Sequence, residues 1–214
     1  PPPRDPFCSP LPWWPRPATR PWRRRRRRRR RPHVVVDFVD GTRLVYTDPR
    51  RFGMMDLIRP GESHKLLSNL GPEPLGNHWS GAQLHESIRN RNVSIKSALL
   101  NQHIVVGIGN IYASEILFRA GISPKRLAKN ITRAMAEDIY RQTQHVLLTA
   151  IEAGGSTLKD GQFKKLDGDL GYFPHEFAVY DREEEICVDP NCAKRVKKLV
   201  QSGRSTFYCS GCQR

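Results

Sequence analysis

Four of the five cysteines stand in two close pairs near the C-terminal end, and their types and spacing indicate metal chemistry. Cys187 and Cys192 are separated by four residues, and after sixteen more residues come Cys209 and Cys212, separated by two. Two such pairs, each on a tight β-turn, can place four thiolates tetrahedrally around one Zn²⁺. The alternative is four cysteines without a metal role. We predict one structural zinc ion bound by all four.

The residues between the two pairs must position this site. Residues 194–200 and 205–208 have the pattern of two strands, with a tip at 201–204 that carries Arg204. A segment this small buries too little apolar surface to fold alone, so we expect metal binding and folding to be one event. Paired cysteines, with Cys8 standing apart, favour a metal site in a reducing compartment over a disulfide framework.

A second candidate site surrounds Asn110. Gly107 and Gly109 flank Ile108, and an apolar pattern typical of a helix begins at Asn110. The N-terminus of a helix presents free N–H groups and the positive end of its dipole, which together bind anions such as phosphate. The alternative is that the glycines only shape a tight turn between two helices.

The run VVGIGNIYASEILFRAGISP at 105–124 resembles the helix–two-turn–helix signature of bacterial formamidopyrimidine-DNA glycosylases and their endonuclease VIII relatives. The resemblance extends from about residue 33 to the C-terminus, through the runs DPRRFG at 48–53, LGPEPL at 70–75, GGSTLKD at 154–160 and LGYF at 170–173. It implies a base-excision repair enzyme, a DNA glycosylase and abasic-site lyase acting on oxidised purines (8-oxoguanine, formamidopyrimidine) in duplex DNA.

The resemblance also implies roles for five residues. Asn110 would contact a DNA backbone phosphate, and Arg50 and Phe52 would fill the gap opposite the extruded base. Lys159 would lie on the loop that closes around the lesion. Arg204 would contact phosphates and assist elimination, which makes it the candidate catalytic residue. Base flipping costs a few kcal/mol of stacking, which a planar cation and an aromatic ring can partly replace.

Pattern and resemblance together predict an α+β protein in four parts. These are a disordered Pro/Arg-rich leader at 1–32, a partial β-sandwich (the remnant of a catalytic domain) at 33–76, a helix–two-turn–helix DNA-binding domain at 77–180, and a zinc-ribbon β-hairpin at 181–214.

Several elements within these parts can be placed from the sequence. An Asp-Gly turn at 40–41 predicts a hairpin, followed by a strand-like run as far as residue 58. Helices are predicted over 84–102 and 132–153, and the Ser-Pro pair at 123–124 has the pattern of a helix start.

Positive charge is concentrated at the N-terminal end. Of the net charge of +15, residues 1–31 contribute +11, and residues 23–31 are nine consecutive arginines. This run is either a cationic arm for nucleic acid or a disordered or spuriously encoded leader. No apolar run has the length of a membrane span, and no hydrophobic segment marks a secretory signal. We expect a cytoplasmic, nucleoid-associated monomer whose partner is damaged double-stranded DNA.

The N-terminal Pro-Glu that carries catalysis in this family is not found at the first residues of this sequence. Family enzymes begin with Pro-Glu: the proline amine attacks C1′ of the damaged nucleotide and the glutamate moves protons. This chain begins Pro1-Pro2-Pro3-Arg4, so the role is not carried over to Pro1, and we expect binding of abasic DNA without appreciable release of 8-oxoguanine. The alternatives are a non-catalytic damaged-DNA-binding module, an endonuclease VIII-like pyrimidine glycosylase, and an unrelated zinc-ribbon nucleic-acid protein.

Overall fold

A computed structural model describes residues 32–48, 51–155 and 177–214. They belong to two units, one ending at Leu57 and the other running from Ile58 to Arg214. Within the described ranges, no helix combines the length and the apolar character that crossing a membrane requires.

The first unit contains one antiparallel hairpin. Strand β1 (Val34–Asp37) pairs with β2 (Arg43–Tyr46) around the predicted Asp-Gly turn, which confirms the hairpin. The predicted strand-like run up to residue 58 is wrong, because residues 51–58 form no strand. An apolar run becomes a strand only where a neighbouring edge accepts its hydrogen bonds, and in the described part of the chain β1 and β2 pair only with each other.

The described part of the second unit is organised around four helices that bury one apolar core. A short 3-10 helix, Ala128–Asn130, lies between the third and the fourth of these helices in chain order. The four helices are α1 (Gly81–Ile88), α2 (Ile95–Leu99), α3 (Asn110–Arg119) and α4 (Arg133–Glu152). The residue before α1, α2 and α4 is a serine or threonine whose hydroxyl accepts a hydrogen bond from an amide three residues later, so these three helices have conventional N-caps.

The helix predicted over 84–102 is two helices, α1 and α2, with a turn between them. Ser94 starts the second helix by accepting a hydrogen bond from the amide of Ser97 at 3.2 Å. A residue outside both helices holds this turn, because the carbonyl oxygen of Val93 accepts a hydrogen bond from the amide of Ala128 at 2.8 Å. The apolar spacing continues across the break because both helices face the same core, and this concealed the turn in the sequence.

The segment after α3 also differs from its prediction. Ser123 begins a turn instead of a helix: its carbonyl accepts from Arg126 N at 3.0 Å, and its amide donates to Arg214 O at 2.9 Å. A partner 91 positions away in the chain therefore outweighs the local Ser-Pro signal. The helix predicted over 132–153 is confirmed as α4, with Thr132 as its N-cap.

The C-terminal segment forms a second antiparallel hairpin. Strand β3 (Val196–Gln201) pairs with β4 (Arg204–Cys209), as predicted to within two residues. The two-residue tip has Ser202 at φ 48° and Gly203 at φ 71°, the conformation of a tight type I′ turn. Strand β4 packs against α3, with which it shares a small apolar cluster.

Candidate phosphate site and metal centre

Asn110 is the first residue of α3, and the helix start before it is open. Gly109 is the N-cap residue, and among the described residues no side chain caps this end as the hydroxyls do on the other three helices. An ideal Cβ on Gly109 would have no atom within 4 Å. The first-turn N–H groups of α3 therefore face a space that the chain leaves open, and such an end attracts anions.

Gln102 holds the loop that leads to this helix start. Its Oε1 accepts from the amide of Gly107 at 2.8 Å, and its Nε2 donates to Leu100 O at 3.2 Å. Gly107 has a φ of 84°, which favours glycine. The side-chain amide of Gln102 therefore fixes a turn whose own backbone makes few regular hydrogen bonds.

Lys96 lies directly behind Asn110, and it is 1% exposed. Its Nζ donates to Asn110 Oδ1 at 2.6 Å, to Thr206 Oγ1 at 2.8 Å and to Ser205 O at 3.1 Å. Burial, and then the positive charge of Arg204, lower the pKa of Lys96 from 10.5 to about 8. The ammonium group is thus still mostly charged at neutral pH, with its three hydrogen bonds all satisfied.

The tip of the second hairpin is fixed against the helices. Asn110 Nδ2 donates to Ser205 O at 2.9 Å, and the hydroxyls of Ser97 and Ser202 lie 3.1 Å apart. Arg204, next to Ser205, is exposed. Two predicted site residues, Asn110 and Arg204, are therefore brought together at the start of α3. We call the α3 start, with Asn110 and Arg204, the anion surface.

Glu115 joins α3 to the segment that enters the second hairpin. This carboxylate is 1% exposed and accepts hydrogen bonds from the amides of Ala178 at 2.8 Å, Val179 at 3.0 Å and Tyr180 at 2.9 Å. These three N–H donors replace the water molecules that the Glu115 carboxylate loses on burial. The chain at 178–180 is thereby fixed to the middle of α3.

The four predicted cysteine ligands cluster in the structure. All four Sγ atoms lie within 4.8 Å of one another, with Cys187 and Cys212 3.6 Å apart and Cys192 and Cys209 3.5 Å apart. Four sulfurs about 2.3 Å from one Zn²⁺ would form a tetrahedron with edges of about 3.8 Å, so the donor set fits a zinc finger.

The backbone around the cysteines also suits bound thiolates. Burial opposes ionisation of Cys209, but hydrogen bonds from the amides of Cys212 and Gly211 and from the thiols of Cys192 and Cys187 together outweigh burial and hold the pKa of the Cys209 thiol below its ordinary value. Burial raises the pKa of Cys187 and Cys212, whose thiols therefore need a cation to stay ionised.

Phe52 lies in the first unit, on a loop shaped by Asp48. The Asp48 carboxylate accepts from Arg51 N at 3.0 Å and Gly53 N at 2.6 Å. A Cβ at Gly53 would collide with the Tyr46 hydroxyl, so a side chain there would require the Tyr46 ring to move. The Phe52 ring is 86% exposed.

Two predicted site residues, Arg50 and Lys159, lie outside the described residues. Sequence reasoning missed two residues that the structure places around the anion surface, Lys96 and Gln102, and a third, Glu115, at the middle of α3. One local feature of the sequence pointed to Lys96: it is a charged residue within the apolar pattern of the helix predicted over 84–102, directly after the buried Ile95.

The chain is similar to known proteins over most of its length. The family description "Formamidopyrimidine-DNA glycosylase H2TH domain" matches residues 70–162, which include α1–α4 and the helix start at Asn110. A formamidopyrimidine-DNA glycosylase of Cereibacter sphaeroides is 52% identical over 184 residues, which are 85% of this chain and 64% of that protein. The chain thus spans just under two thirds of this relative's length.

Solved structures agree with this similarity. The MutM (Fpg) protein from Thermus thermophilus matches with a TM-score of 0.76 and 40% identity, over 81% of this chain and 65% of the other. Lactococcus lactis Fpg, in a complex with an abasic site containing DNA, matches with a TM-score of 0.72 and 30% identity, over 84% of this chain and 65% of the other.

Proposed function

This chain belongs to the formamidopyrimidine-DNA glycosylase family, and from that premise we propose that its anion surface grips a backbone phosphate of damaged double-stranded DNA. The observation that carries the proposal is the convergence of an uncapped helix start, the Asn110 amide, the buried Lys96 ammonium and the exposed Arg204 on one place. Each of these groups favours an anion, and phosphate contacts are what position a protein on DNA.

The proposed activity is that of a base-excision DNA glycosylase and abasic-site lyase for oxidised purines. In this proposal Arg204 acts at the phosphates around the lesion and assists elimination, because it is exposed while its neighbours Ser205 and Thr206 are anchored by Lys96. Arg50 and Phe52 would fill the gap in the duplex, and Lys159 would close on the lesion. The β1–β2 hairpin would belong to the β-sandwich that carries Arg50 and Phe52. The protein would act as a monomer on the bacterial nucleoid.

The proposed cofactor is one structural Zn²⁺, held by Cys187, Cys192, Cys209 and Cys212. Support comes from the spacing of the sulfurs and from the amides of residues 211 and 212, which stabilise the Cys209 thiolate. When bound, the ion supplies a rigid cross-link between the two cysteine turns. The strands between those turns then present Arg204 at a fixed position.

Binding is tested with Asn110→Ala and, as a matched control, Asn130→Ala, which changes an exposed asparagine on the 3-10 helix. Loss of a charge-assisted phosphate contact costs roughly 1–3 kcal/mol. We therefore expect Asn110→Ala to weaken binding to an abasic-site duplex by about tenfold or more, and Asn130→Ala to leave it unchanged. Equal affinities for the wild type and Asn110→Ala would refute the phosphate assignment.

Activity is tested separately on the intact chain of 214 residues. Release of 8-oxoguanine from an oxidised duplex is measured together with borohydride trapping, because only an amine that attacks C1′ forms a reducible adduct. An adduct with base release supports the glycosylase. Tight, lesion-selective binding without either product would identify a binding module instead.

A further inference from the structure

The second cysteine pair is fixed to the turn that ends α3, and Gln213 makes the connection. Gln213 is 4% exposed. Its Oε1 accepts from the amide of Cys209 at 2.8 Å, and its Nε2 donates to Ile122 O at 3.0 Å. One side-chain amide therefore bridges a cysteine of the metal centre and the backbone that follows α3.

Backbone hydrogen bonds flank this bridge. Arg214 N donates to Gly121 O at 3.0 Å, and Ser123 N donates back to Arg214 O at 2.9 Å. The last residues of the chain thus pair with residues 121–123, while Gln213 reaches past them to the cysteine turn. The backbone amide of Gln213 also donates to Cys209 O at 3.0 Å, and the side chain adds the link from the Cys209 amide to Ile122 O.

Strand β4 and helix α3 are consequently joined at both ends. At their starts, Asn110 donates to Ser205 O. At their far ends, Gln213 joins Cys209 to Ile122. The ten residues of α3 span about 15 Å and the six of β4 about 20 Å, so the two joints lie well apart, one at each end of both elements.

We propose that Gln213 is a positioning residue that transmits the state of the metal centre to α3, and so holds Arg204 and Asn110 in register on the anion surface. With metal bound, the turn at residues 209–212 would be fixed, and Gln213 would hold the end of β4 against the end of α3. Without the Gln213 bridge, the four thiolates could still bind the metal, but at this end only the backbone pairing of Arg214 with Gly121 and Ser123 would hold β4 to the helix. The consequence for DNA binding rests on the proposed function.

The chemistry of the glutamine side chain explains why this residue is needed. The Cys209 amide requires an acceptor and the Ile122 carbonyl requires a donor, and a primary amide offers both. Glutamate keeps the acceptor and loses the donor. Methionine has a similar length, but its thioether is only a weak acceptor and has no donor. Gln213→Glu therefore removes one half of the bridge and Gln213→Met removes both.

The experiment compares these two variants with the wild type and with Gln83→Met, a change at an exposed position of α1. Three quantities are measured: Co²⁺ stoichiometry with the absorption spectrum of the tetrahedral thiolate site, hydrogen exchange of residues 117–122, and affinity for an abasic-site duplex. The first reports on the metal centre, the second on the end of α3 and the third on the anion surface.

For Gln213→Met we expect one Co²⁺ with the wild-type spectrum, exchange at residues 117–122 about tenfold faster, and DNA affinity about tenfold weaker, as when one coupled pair of buried contacts is broken. Gln213→Glu should give the same pattern, and Gln83→Met should match the wild type in all three.

Wild-type exchange and affinity in both Gln213 variants would overturn the proposal. Loss of the Co²⁺ spectrum, or of folding, in both would overturn it as well, since Gln213 would then serve to build the metal site. Failure of the proposed function would give a different result, because the wild type itself would then bind the abasic duplex no better than an intact one. The exchange measurement would still decide whether Gln213 couples the metal centre to α3.

Discussion

Lys96 Nζ lies 2.6 Å from Asn110 Oδ1, so a buried ammonium group orients the amide at the start of α3. Because Lys96 occupies the oxygen of the amide, the Asn110 nitrogen is directed to Ser205 O on β4. The same ammonium binds Ser205 and Thr206. One cation therefore joins α2, α3 and β4 and adds positive potential beneath the anion surface, where water screens it poorly.

The first prediction concerns pH. Burial lowers the pKa of Lys96 to about 8, and a bound phosphate favours the charged form, so binding takes up a proton once the pH exceeds that value. Affinity for an abasic-site duplex should be constant below about pH 7 and fall as the pH rises from about 8 to about 9. Fluorescence anisotropy at fixed ionic strength measures this.

Lys96→Met should bind more weakly at neutral pH and lose the fall above pH 8, because the titrating group is gone. The matched control is Lys129→Met, an exposed lysine on the 3-10 helix that should keep the wild-type pH profile. If Lys96→Met and the wild type have parallel profiles, another group causes the pH dependence.

The example of Lys96 shows what the sequence could and could not provide. Its apolar neighbours Ile95, Ala98 and Leu99 have the spacing of core positions in the helix predicted over 84–102, and all three are buried. The atoms that accept from its ammonium belong to Asn110, 14 positions away, and to Ser205 and Thr206, 109 and 110 positions away. No local pattern contains such a partner, so burial of a lysine could not be predicted from its neighbours.

The elements themselves were easier to predict where their signals are local. The Asp-Gly turn, the cysteine spacing and the two ends of α4 are set by residues a few positions apart, and each agrees with its prediction. The break between α1 and α2 and the turn at Ser123 depend on contacts with Ala128 and Arg214, which tertiary packing supplies. Local propensity was overridden at these two places.

The second prediction separates folding from phosphate binding at Gly109. A Cβ there meets no atom of the described residues within 4 Å, so Gly109→Ala should leave stability unchanged or raise it by about 0.4–1 kcal/mol by restricting the unfolded chain. A methyl group at the helix start would, however, obstruct a phosphate that approaches the N–H groups. We expect unfolding in urea to be unaffected and affinity for abasic DNA to fall about tenfold.

Gly76→Ala provides the matched control, because a Cβ at that position meets only ordinary contacts, the nearest being Glu73 O at 3.4 Å. It should change neither stability nor affinity appreciably. Unimpaired DNA binding by Gly109→Ala would mean that no anion approaches the start of α3.

The third prediction concerns metal removal. The apolar cluster beneath the second hairpin is small, with only Val179, Val196 and Phe207 buried among the described residues. Without the metal, we expect β3 and β4 to lose their structure while α1–α4, which have their own core, persist. Metal analysis should give one zinc per chain, and chelation should weaken DNA binding with little loss of helical circular dichroism. Full DNA affinity after chelation would contradict this.

The last prediction concerns Phe52, whose ring is 86% exposed on the loop held by Asp48. Because the ring packs against little of the chain, Phe52→Ala should change stability by no more than about 0.5 kcal/mol. In an abasic-site duplex the ring would replace part of the stacking lost with the missing base, a contact that intact DNA does not offer. The ratio of the two affinities should therefore fall, with affinity for the intact duplex unchanged. Leu57→Ala, which removes a side chain that is 99% exposed, is the control and should preserve the ratio. If Phe52→Ala weakens binding to both duplexes equally, the ring serves general contact with DNA and does not read the lesion.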